Sequence, residues 1–425
     1  MLEIQKLRTK AEPIIAALET KGVATAKEKV ANILELDLQR KQTLTELEQL
    51  RNQSKEISKS IGRLMKEGKR EEAEAAKAKT SEAKGRMKEL EQSVQEIETQ
   101  SRDLLVTLPN TPHESVPSGK HADDNVVAYQ NDVTISFDFT PLPHWELAVK
   151  HDIIDWKLGV KITGAGFPVY KGKGATLQRA LISYFLDQAR EAGFVEYQPP
   201  LLINEASGFG TGQLPDKDGD MYVIERDGFY LIPTAEVPIT NLFRGDILAE
   251  DDLPIKACGY TPCFRREAGS YGKDVKGLNR LHQFDKVEIV QIAHPDNSYE
   301  MLEEMTKHSE SLLEALGFPF RRLLLCTGDM SFTSAKTYDL EVYSAGQGRW
   351  LEVSSVSNFE TYQTNRLKLR YRGKEDKKTH LAHSLNGSAL ALPRIVASLL
   401  ENNQQADGSI LIPEVLRKYT GFEKI

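Results

Sequence analysis

Cysteine is scarce in this chain: Cys258, Cys263 and Cys326 are the only three in 425 residues. That number and spacing exclude a disulfide framework. With no second Cys or His pair at ligand spacing, Cys258 and Cys263 read as buried thiols rather than a metal site. Long apolar runs are also missing. No stretch approaches the ~18 uninterrupted apolar residues of a membrane span, and the N-terminal MLEIQKLRTKAEPI has no apolar h-region or small-residue cleavage signal. The expected compartment is the reducing cytoplasm, with no membrane partner. There is no excess of basic charge. The formal net charge is -7, which excludes a globally basic nucleic-acid binder, although a local basic surface can still dock phosphates. No GxGxxG follows a candidate strand and no Walker A motif occurs, so any use of a nucleotide takes another route.

Residues 27 to 106 lack proline and aromatic residues altogether and are instead rich in Glu, Lys, Gln, Ala and Leu. That is the composition of long, exposed helices. Leu47, Leu50, Ser54, Ile57, Ile61 and Leu64 advance in steps of three and four, as do Ala83, Met87, Leu90, Val94, Ile97, Ser101 and Leu104. Such steps keep one apolar seam facing a partner helix. Between the runs, Glu67-Gly68-Lys69-Arg70 offers a glycine for a tight reversal. The spacing predicts an antiparallel two-helix arm, roughly 50 Å long at 1.5 Å per residue. Its outer half carries Lys55, Lys59, Arg63, Lys66, Lys69 and Arg70 against Glu56 and Glu67. This excess suits phosphate contact, but equally a solvated face or a dimerisation coiled coil.

Residues 109–125, dense in Pro, Ser, Asn and charge, read as a linker. Beyond them the texture is globular. Strands are predicted at Asp132–Phe139, Tyr222–Ile224, Phe229–Ile232, Val287–Ile292 and Leu323–Cys326. Helices are predicted at Ala175–Ala192, Ser298–Leu316 and Leu392–Asn402. Strands grouped between helices argue for an α+β fold with a mainly antiparallel sheet.

The segment Tyr260–Val290, YTPCFRREAGSYGKDVKGLNRLHQFDKVEIV, carries the chemistry. It reads as strand, loop, strand. The loop holds Gly269, Gly272 and Gly277, with Arg265 at one end and Arg280 at the other. Guanidinium forks at both ends match polyphosphate oxygens, and Phe284 on the returning strand suits stacking on a purine. Taken alone, the same pattern also fits a surface ion pair.

This segment resembles motif 2 of the class II aminoacyl-tRNA synthetases in the form of the seryl-tRNA synthetase family. Other segments agree, in order: GFGTGQLP (208–215) resembles a loop near the active site, IPTAEV (232–237) the TxE motif, and HSLNGSALALPR (383–394) the motif 3 region. Residues 336–366 resemble the family's core and 404–415 its C-terminal signature. The resemblance covers essentially the whole chain. It implies a class II antiparallel β-sheet catalytic domain flanked by helices at 126–425, a linker at 109–125, and an N-terminal tRNA-binding domain with a coiled-coil arm at 1–108.

It also implies a serine pocket of Thr234, Ala235, Glu236, Arg265, Glu288, Asn386 and Ser388. Glu288 would take the substrate ammonium, a role that suits a buried carboxylate lacking a rival cation. Asn386 and Ser388 would pair the serine hydroxyl, and a site built for a hydroxyl rejects alanine strongly. The implied ATP site holds Arg265, Arg266, Glu267, Arg280, Leu281, Phe284, Glu352, Val353, Ser354, Ser355 and Arg394. Within it, Arg265 and Arg394 would be catalytic, and Glu352 and Ser355 would hold Mg²⁺. Glu267 would meet the adenine amino group, Phe284 would stack on the ring, and Arg280 would steady the β- and γ-phosphates. The implied partners are tRNA(Ser), tRNA(Sec) and a second subunit. The interface would come from Gly193–Pro200 and the helix before it.

Without the resemblance, Thr234 fits a helix N-cap, Glu352 a solvated strand face, and Asn386-Gly387 a hairpin turn. Pro393, Val356 and Ser384 stand where the family more often has Gly, Cys and Thr. Pro393 is expected to alter the motif 3 loop backbone slightly. A related ligase that charges a carrier protein would lack the N-terminal arm.

Overall fold

The computed structural model describes residues 1–217, 219–267 and 276–425. The chain divides into two compact units, Met1–Pro109 and Asn110–Ile425.

The first unit is helical. Two short helices, Ile4–Thr9 and Ala11–Thr20, precede α1 (Ala26–Lys66) and α2 (Arg70–Leu105). The chain reverses at Gly68, whose φ of +76° is a conformation that glycine adopts without a Cβ clash. The predicted seam holds: Leu47, Ser54, Leu90, Ile97 and Ser101 are buried, and the intervening seam residues are half-buried. Ion pairs cross between the helices from Arg40 to Glu98 (2.7 Å), Arg51 to Glu91 (2.7 Å) and Arg86 to Glu46 (2.9 Å). All are exposed, so each contributes only a few tenths of a kcal/mol to about 1 kcal/mol. Packing along the seam holds the arm together.

The second unit is built on an eight-stranded sheet. Its strands, in chain order, are β1 (Val126–Gln130), β2 (Val195–Glu196), β3 (Ile255–Phe264), β4 (Gln283–Ala293), β5 (Phe320–Leu324), β6 (Lys336–Ser344), β7 (Arg349–Asn358) and β8 (His383–Ala391). Their spatial order is β1-β5-β6-β7-β8-β4-β3-β2. Only the edge pair β2–β3 is parallel; the other seven-strand run is antiparallel, as expected for α+β. Helices α3 (Lys173–Glu191), α4 (Glu205–Thr211), α5 (Glu236–Asn241), α6 (Ser298–Ala315) and α7 (Leu392–Asn402) complete the parts needed here. The main core joins Leu177, Leu181 and Phe185 of α3, Leu302, Leu312 and Leu313 of α6, and Ile395, Leu399 and Leu400 of α7 to Val287, Ile289, Leu340 and Val356 of the sheet. This helix-covered face leaves the opposite face of the central strands for polar residues.

Two sequence expectations are corrected. Asp132–Phe139 is not a strand; the edge strand lies just upstream, at Val126–Gln130. The period-2 pattern there is real, but this segment runs past the end of β5, whose pairing with β1 stops at Gln130 opposite Arg321. GFGTGQLP is not simply a loop, because Gly208–Thr211 close α4, which Asn204 caps by accepting from the Ser207 amide at 2.9 Å. Gly212, at φ +94°, ends that helix.

Candidate active site

The polar face is assembled from three adjoining strands. β4 lies between β3 and β8, and β8 lies beside β7. Glu288 on β4 is directly opposite Ser388 on β8. Directly opposed residues of an antiparallel pair share a face, and Asn386, two residues before Ser388, shares it as well. All three are buried. Asn386-Gly387 is thus the middle of a strand, which corrects the hairpin-turn reading. Here the sequence is misleading because Asn-Gly favours turns only when flanking registry lets the chain reverse.

Thr234 precedes α5 and does two jobs. Its hydroxyl accepts from the Glu236 amide at 3.2 Å and lies 3.4 Å from Glu288 Oε2, while the N-cap position belongs to Ala235 and carries no side-chain cap, so Thr234 is not the N-cap. Glu236 is buried, and its Oε1 accepts from Gln363 Nε2 at 2.6 Å. Burial, and then the charge of Glu288, pushes the Glu236 carboxyl up to about 7 against the opposing pull of Gln363, Lys286 and Arg265. Gln363 also donates to Thr211 O and accepts from Ser384 Oγ, which ties α4 and β8 to the pocket. Ala235 turns away into a small apolar cluster with Ile239, Ala257 and Val290, so any contribution it makes to the pocket is through its main chain.

Glu288 does have a rival cation, contrary to expectation. Lys286 Nζ lies 2.6 Å from Glu288 Oε2 and donates to Thr234 Oγ1 at 2.8 Å. Strand alternation places both residues on one face. That neighbour is visible in the sequence as Lys-Val-Glu, but its burial is not.

Beside this pocket, Arg265 donates from Nε to Pro233 O at 3.2 Å, and its guanidinium lies 5.3 Å from the centre of the Phe284 ring. Arg266 packs near Tyr222 at 5.9 Å, and its amide donates to Asp220 O. Glu267 and Arg280, expected to hold different parts of the nucleotide, form an ion pair of 2.7 Å. Glu267 has φ +50°, a left-handed conformation that is uncommon for a side chain of this size. Leu281 is buried in the main core. Gly269 and Gly272 lie outside the described residues.

Glu352 and Ser355 are three apart, so a regular strand would turn them to opposite faces. A bulge solves this. β6 and β7 pair Asp339 with Ser355 and Leu340 with Ser354, then shift so that Glu341 meets Glu352. The extra residue, Val353, enters the core. Glu352, Ser355 and Asp339 therefore share the polar face. Burial, and then Glu352, holds the Asp339 carboxyl well above the usual range, partly offset by a bond with Ser355. Asp339 Oδ1 is buried without a hydrogen-bond partner. Ser354 is spent on structure, with its hydroxyl donating to Ser388 O at 2.6 Å.

Arg394 sits in the first turn of α7. It donates from Nη1 to Glu352 O at 2.7 Å and from Nε to Asn279 O at 3.2 Å. Pro393 occupies the first turn too, where a missing N–H leaves no helical bond unmade. The substitution for glycine is therefore absorbed by the helix start.

Behind these residues lies a buried pair absent from the sequence reading. His144 Nδ1 is 2.7 Å from Glu401 Oε1, and both residues are fully buried. His144 Nε2 accepts from the Leu278 amide at 2.8 Å, which assigns the ring proton to Nδ1. Glu401 also receives the His144 amide, Gly346 amide, Gln347 Nε2 and Ser344 hydroxyl. Gln347 in turn accepts from Asn279 Nδ2 at 2.9 Å. The network anchors the return of the motif 2 segment to α7. It was missed because His144 and Glu401 are 257 positions apart and neither falls in a recognisable motif.

Known proteins resemble this chain along its whole length. The seryl-tRNA synthetase N-terminal domain family matches residues 1–112, and the tRNA synthetase class II core domain (G, H, P, S and T) matches residues 222–403. A serine–tRNA ligase of Salinibacter ruber is 55% identical, covering 100% of this chain and 99% of the relative. One of Carboxydothermus hydrogenoformans is 45% identical with the same coverage. The crystal structure of seryl-tRNA synthetase from Pyrococcus horikoshii complexed with ATP superposes with a TM-score of 0.93 at 35% identity, covering 100% of this chain and 99% of that one. A cytoplasmic serine–tRNA ligase of Naegleria fowleri in complex with AMP gives 0.87 at 26% identity, covering 100% and 98%. The fold is that of a class II synthetase, and the chain belongs to the seryl-tRNA synthetase family as a ligase that joins serine to tRNA.

Proposed function

We propose that serine is activated by ATP on the polar face of β3, β4, β8 and β7, with the roles divided among the residues named above. The observation that carries this reading is the registry that sets Glu288 opposite Ser388, with Asn386 beside them and Arg265 packed on Phe284. Glu288 takes the serine ammonium, Thr234 and Glu236 bound the pocket, and Asn386 and Ser388 pair the hydroxyl. Phe284 stacks on adenine while Arg265 holds the α-phosphate. Arg394 and Arg280 hold the outer phosphates, so Arg280 must leave Glu267, which then turns to the adenine amino group. Leu281, Arg266, Ser354, Val353 and Ala235 contribute through shape or main chain.

In the first step a serine carboxylate oxygen attacks the α-phosphorus in line. A new O–P bond forms and the bond to the bridging oxygen breaks, releasing pyrophosphate. The carboxylate is already a nucleophile, so no general base is required; Arg265 and Arg394 contribute by position and charge. In the second step the terminal ribose hydroxyl of tRNA attacks the anhydride carbonyl, and AMP leaves.

A divalent cation fits the face beside this centre. Asp339 and Glu352 are two carboxylates in mutual repulsion, and one buried oxygen has no partner. Mg²⁺ is often held by one or two carboxylates together with substrate phosphates. Glu352 and Ser355 would hold it with Asp339 behind them, and when bound it supplies neutralisation of phosphate charge. The same reading assigns the basic outer half of the arm to tRNA(Ser) and tRNA(Sec), through backbone and shape. It also assigns a homodimer whose interface includes Gly193–Pro200 and α3, and a cytoplasmic setting.

Serine-dependent ATP–pyrophosphate exchange tests the assignment. Arg265→Ala should lower exchange by at least about 100-fold, the scale of losing one charge-stabilising contact in the transition state. Near-normal exchange in that variant would remove Arg265 from the reaction.

A further inference from the structure

Lys286 has no place in the roles just described, yet it is buried in the middle of them. Its side chain is 8% exposed, and that of Glu288 is 2% exposed. Its ammonium bonds Thr234 Oγ1 at 2.8 Å and pairs with Glu288 Oε2 at 2.6 Å. Thr234 also accepts from the Glu236 amide, so two donors aim at its hydroxyl oxygen. Its own proton is left to point at Glu288 Oε2, 3.4 Å away. Lys286 therefore directs both groups: Glu288 Oε2 is taken up by Lys286 and Thr234, which leaves Oε1 to meet a ligand.

Charge leads to the same place. Two buried carboxylates, Glu236 and Glu288, share the pocket, with Lys286 and Arg265 as the cations that act on Glu236. If Arg265 is committed to a phosphate, the pocket holds two acids and one lysine. Once Glu236 ionises, above about pH 7, one negative charge remains uncompensated, and a ligand with one ammonium cancels it. Without the lysine the two carboxylates would repel more strongly in a desolvated space, and Glu236 would keep its proton to higher pH. Gln363, bonded to Glu236, is neutral and cannot replace the lysine charge.

Resting on the proposed serine pocket, we propose that Lys286 is a specificity-determining residue for the amino acid. Its ammonium orients Thr234 and Glu288 and tunes the pocket to accept a single substrate ammonium. It acts on serine recognition and not on ATP.

The test is serine-dependent pyrophosphate exchange with Lys286→Met and Lys286→Arg, measured from pH 6 to 8.5. For Lys286→Met the KM for serine should rise about tenfold or more while the KM for ATP stays within about twofold, which separates a pocket effect from general damage. Lys286→Arg keeps the charge and should recover most of the serine affinity. The pH profile is a second readout. A raised Glu236 carboxyl ionises as pH climbs through about 7, so kcat/KM for serine should rise across that range in the parent chain. In Lys286→Met the lysine's attraction is gone, and the rise should move to higher pH. If Lys286→Met does not fold, Lys286→Gln carries the same two readouts. Equal effects on the two KM values, an unchanged serine KM, or an unmoved pH profile would overturn the proposal. Absence of serine-dependent exchange in the parent chain would instead overturn the reading of the site itself.

Discussion

Replacing Glu401 by glutamine leaves the side-chain volume nearly unchanged but reverses the polarity of one oxygen. Five donors converge on this carboxylate: the His144 amide, His144 Nδ1, Gln347 Nε2, the Gly346 amide and the Ser344 hydroxyl. The new amide NH₂ must face at least one backbone N–H that cannot rotate away. Stranding a buried donor costs about 1–3 kcal/mol, and losing charge-assisted bonds adds to that. Together they give about 3–5 kcal/mol, as for a broken buried ion pair. Over residues 110–425, unfolding entropy of about 2 cal/mol/K per residue makes each kcal/mol worth roughly 1.5 °C. The thermal midpoint of this unit should fall by about 5–7 °C in calorimetry at pH 7. Burial pushes the Glu401 carboxyl up, but the bonds from His144 and Ser344 outweigh it and leave it below its usual range. A depressed carboxyl contributes stability above its unfolded value, lost as pH falls through the folded one. The gap between parent and variant should therefore narrow below about pH 4. Because the pair also holds Leu278 and Asn279, and Asn279 holds Arg394, the KM for ATP should rise more than that for serine. An unchanged midpoint, or a lowered midpoint with an unchanged KM for ATP, would refute the reasoning.

Three further outcomes follow from other parts of the molecule. Gly277 has φ +67° and faces His144, where a Cβ would lie 2.1 Å from Nε2; Gly277→Ala should destabilise the catalytic unit by about 2–3 kcal/mol in denaturant unfolding. Asp339→Asn should raise the Mg²⁺ concentration for half-maximal exchange by about tenfold, since it removes a carboxyl that a bound cation would ionise; an unchanged requirement would exclude Asp339 from the site. Reversing Lys55, Lys59, Arg63 and Lys66 to Glu should leave pyrophosphate exchange within about twofold. It should also weaken tRNA charging and flatten its dependence on salt, and a loss of exchange would show instead that the arm supports the catalytic unit.

How far the sequence could be read depended on whether its signals were local. The arm was legible to within a residue or two because α1 and α2 are long, proline-free heptad runs with glycine at the reversal. Helices α3, α6 and α7 were similarly visible from apolar periodicity. The strand forecast at Asp132–Phe139 failed because alternation says which residues could pair, while pairing depends on where the neighbouring strand ends. Glu288, Asn386 and Ser388, which the sheet registry brings to one face, were named through contiguous motifs. The bulge that brings Glu352 and Ser355 to one face depends on registry with β6, and no local signal encodes it. Lys286 was overlooked although it sits two residues from Glu288, because a lysine in a strand ordinarily reads as solvated. His144 and Glu401 were invisible for another reason: each is unremarkable in its own segment, and only folding makes them partners.

One polar sheet face is proposed to activate serine and pass it to tRNA. The most direct measurement is transfer of labelled serine to bulk tRNA by the purified full chain with ATP and Mg²⁺, run beside alanine and threonine. Acid-precipitable label is expected with serine, little with the other two, and none with serine in Arg394→Ala. Adenylate formation without label on tRNA, or charging with alanine at a comparable rate, would contradict it.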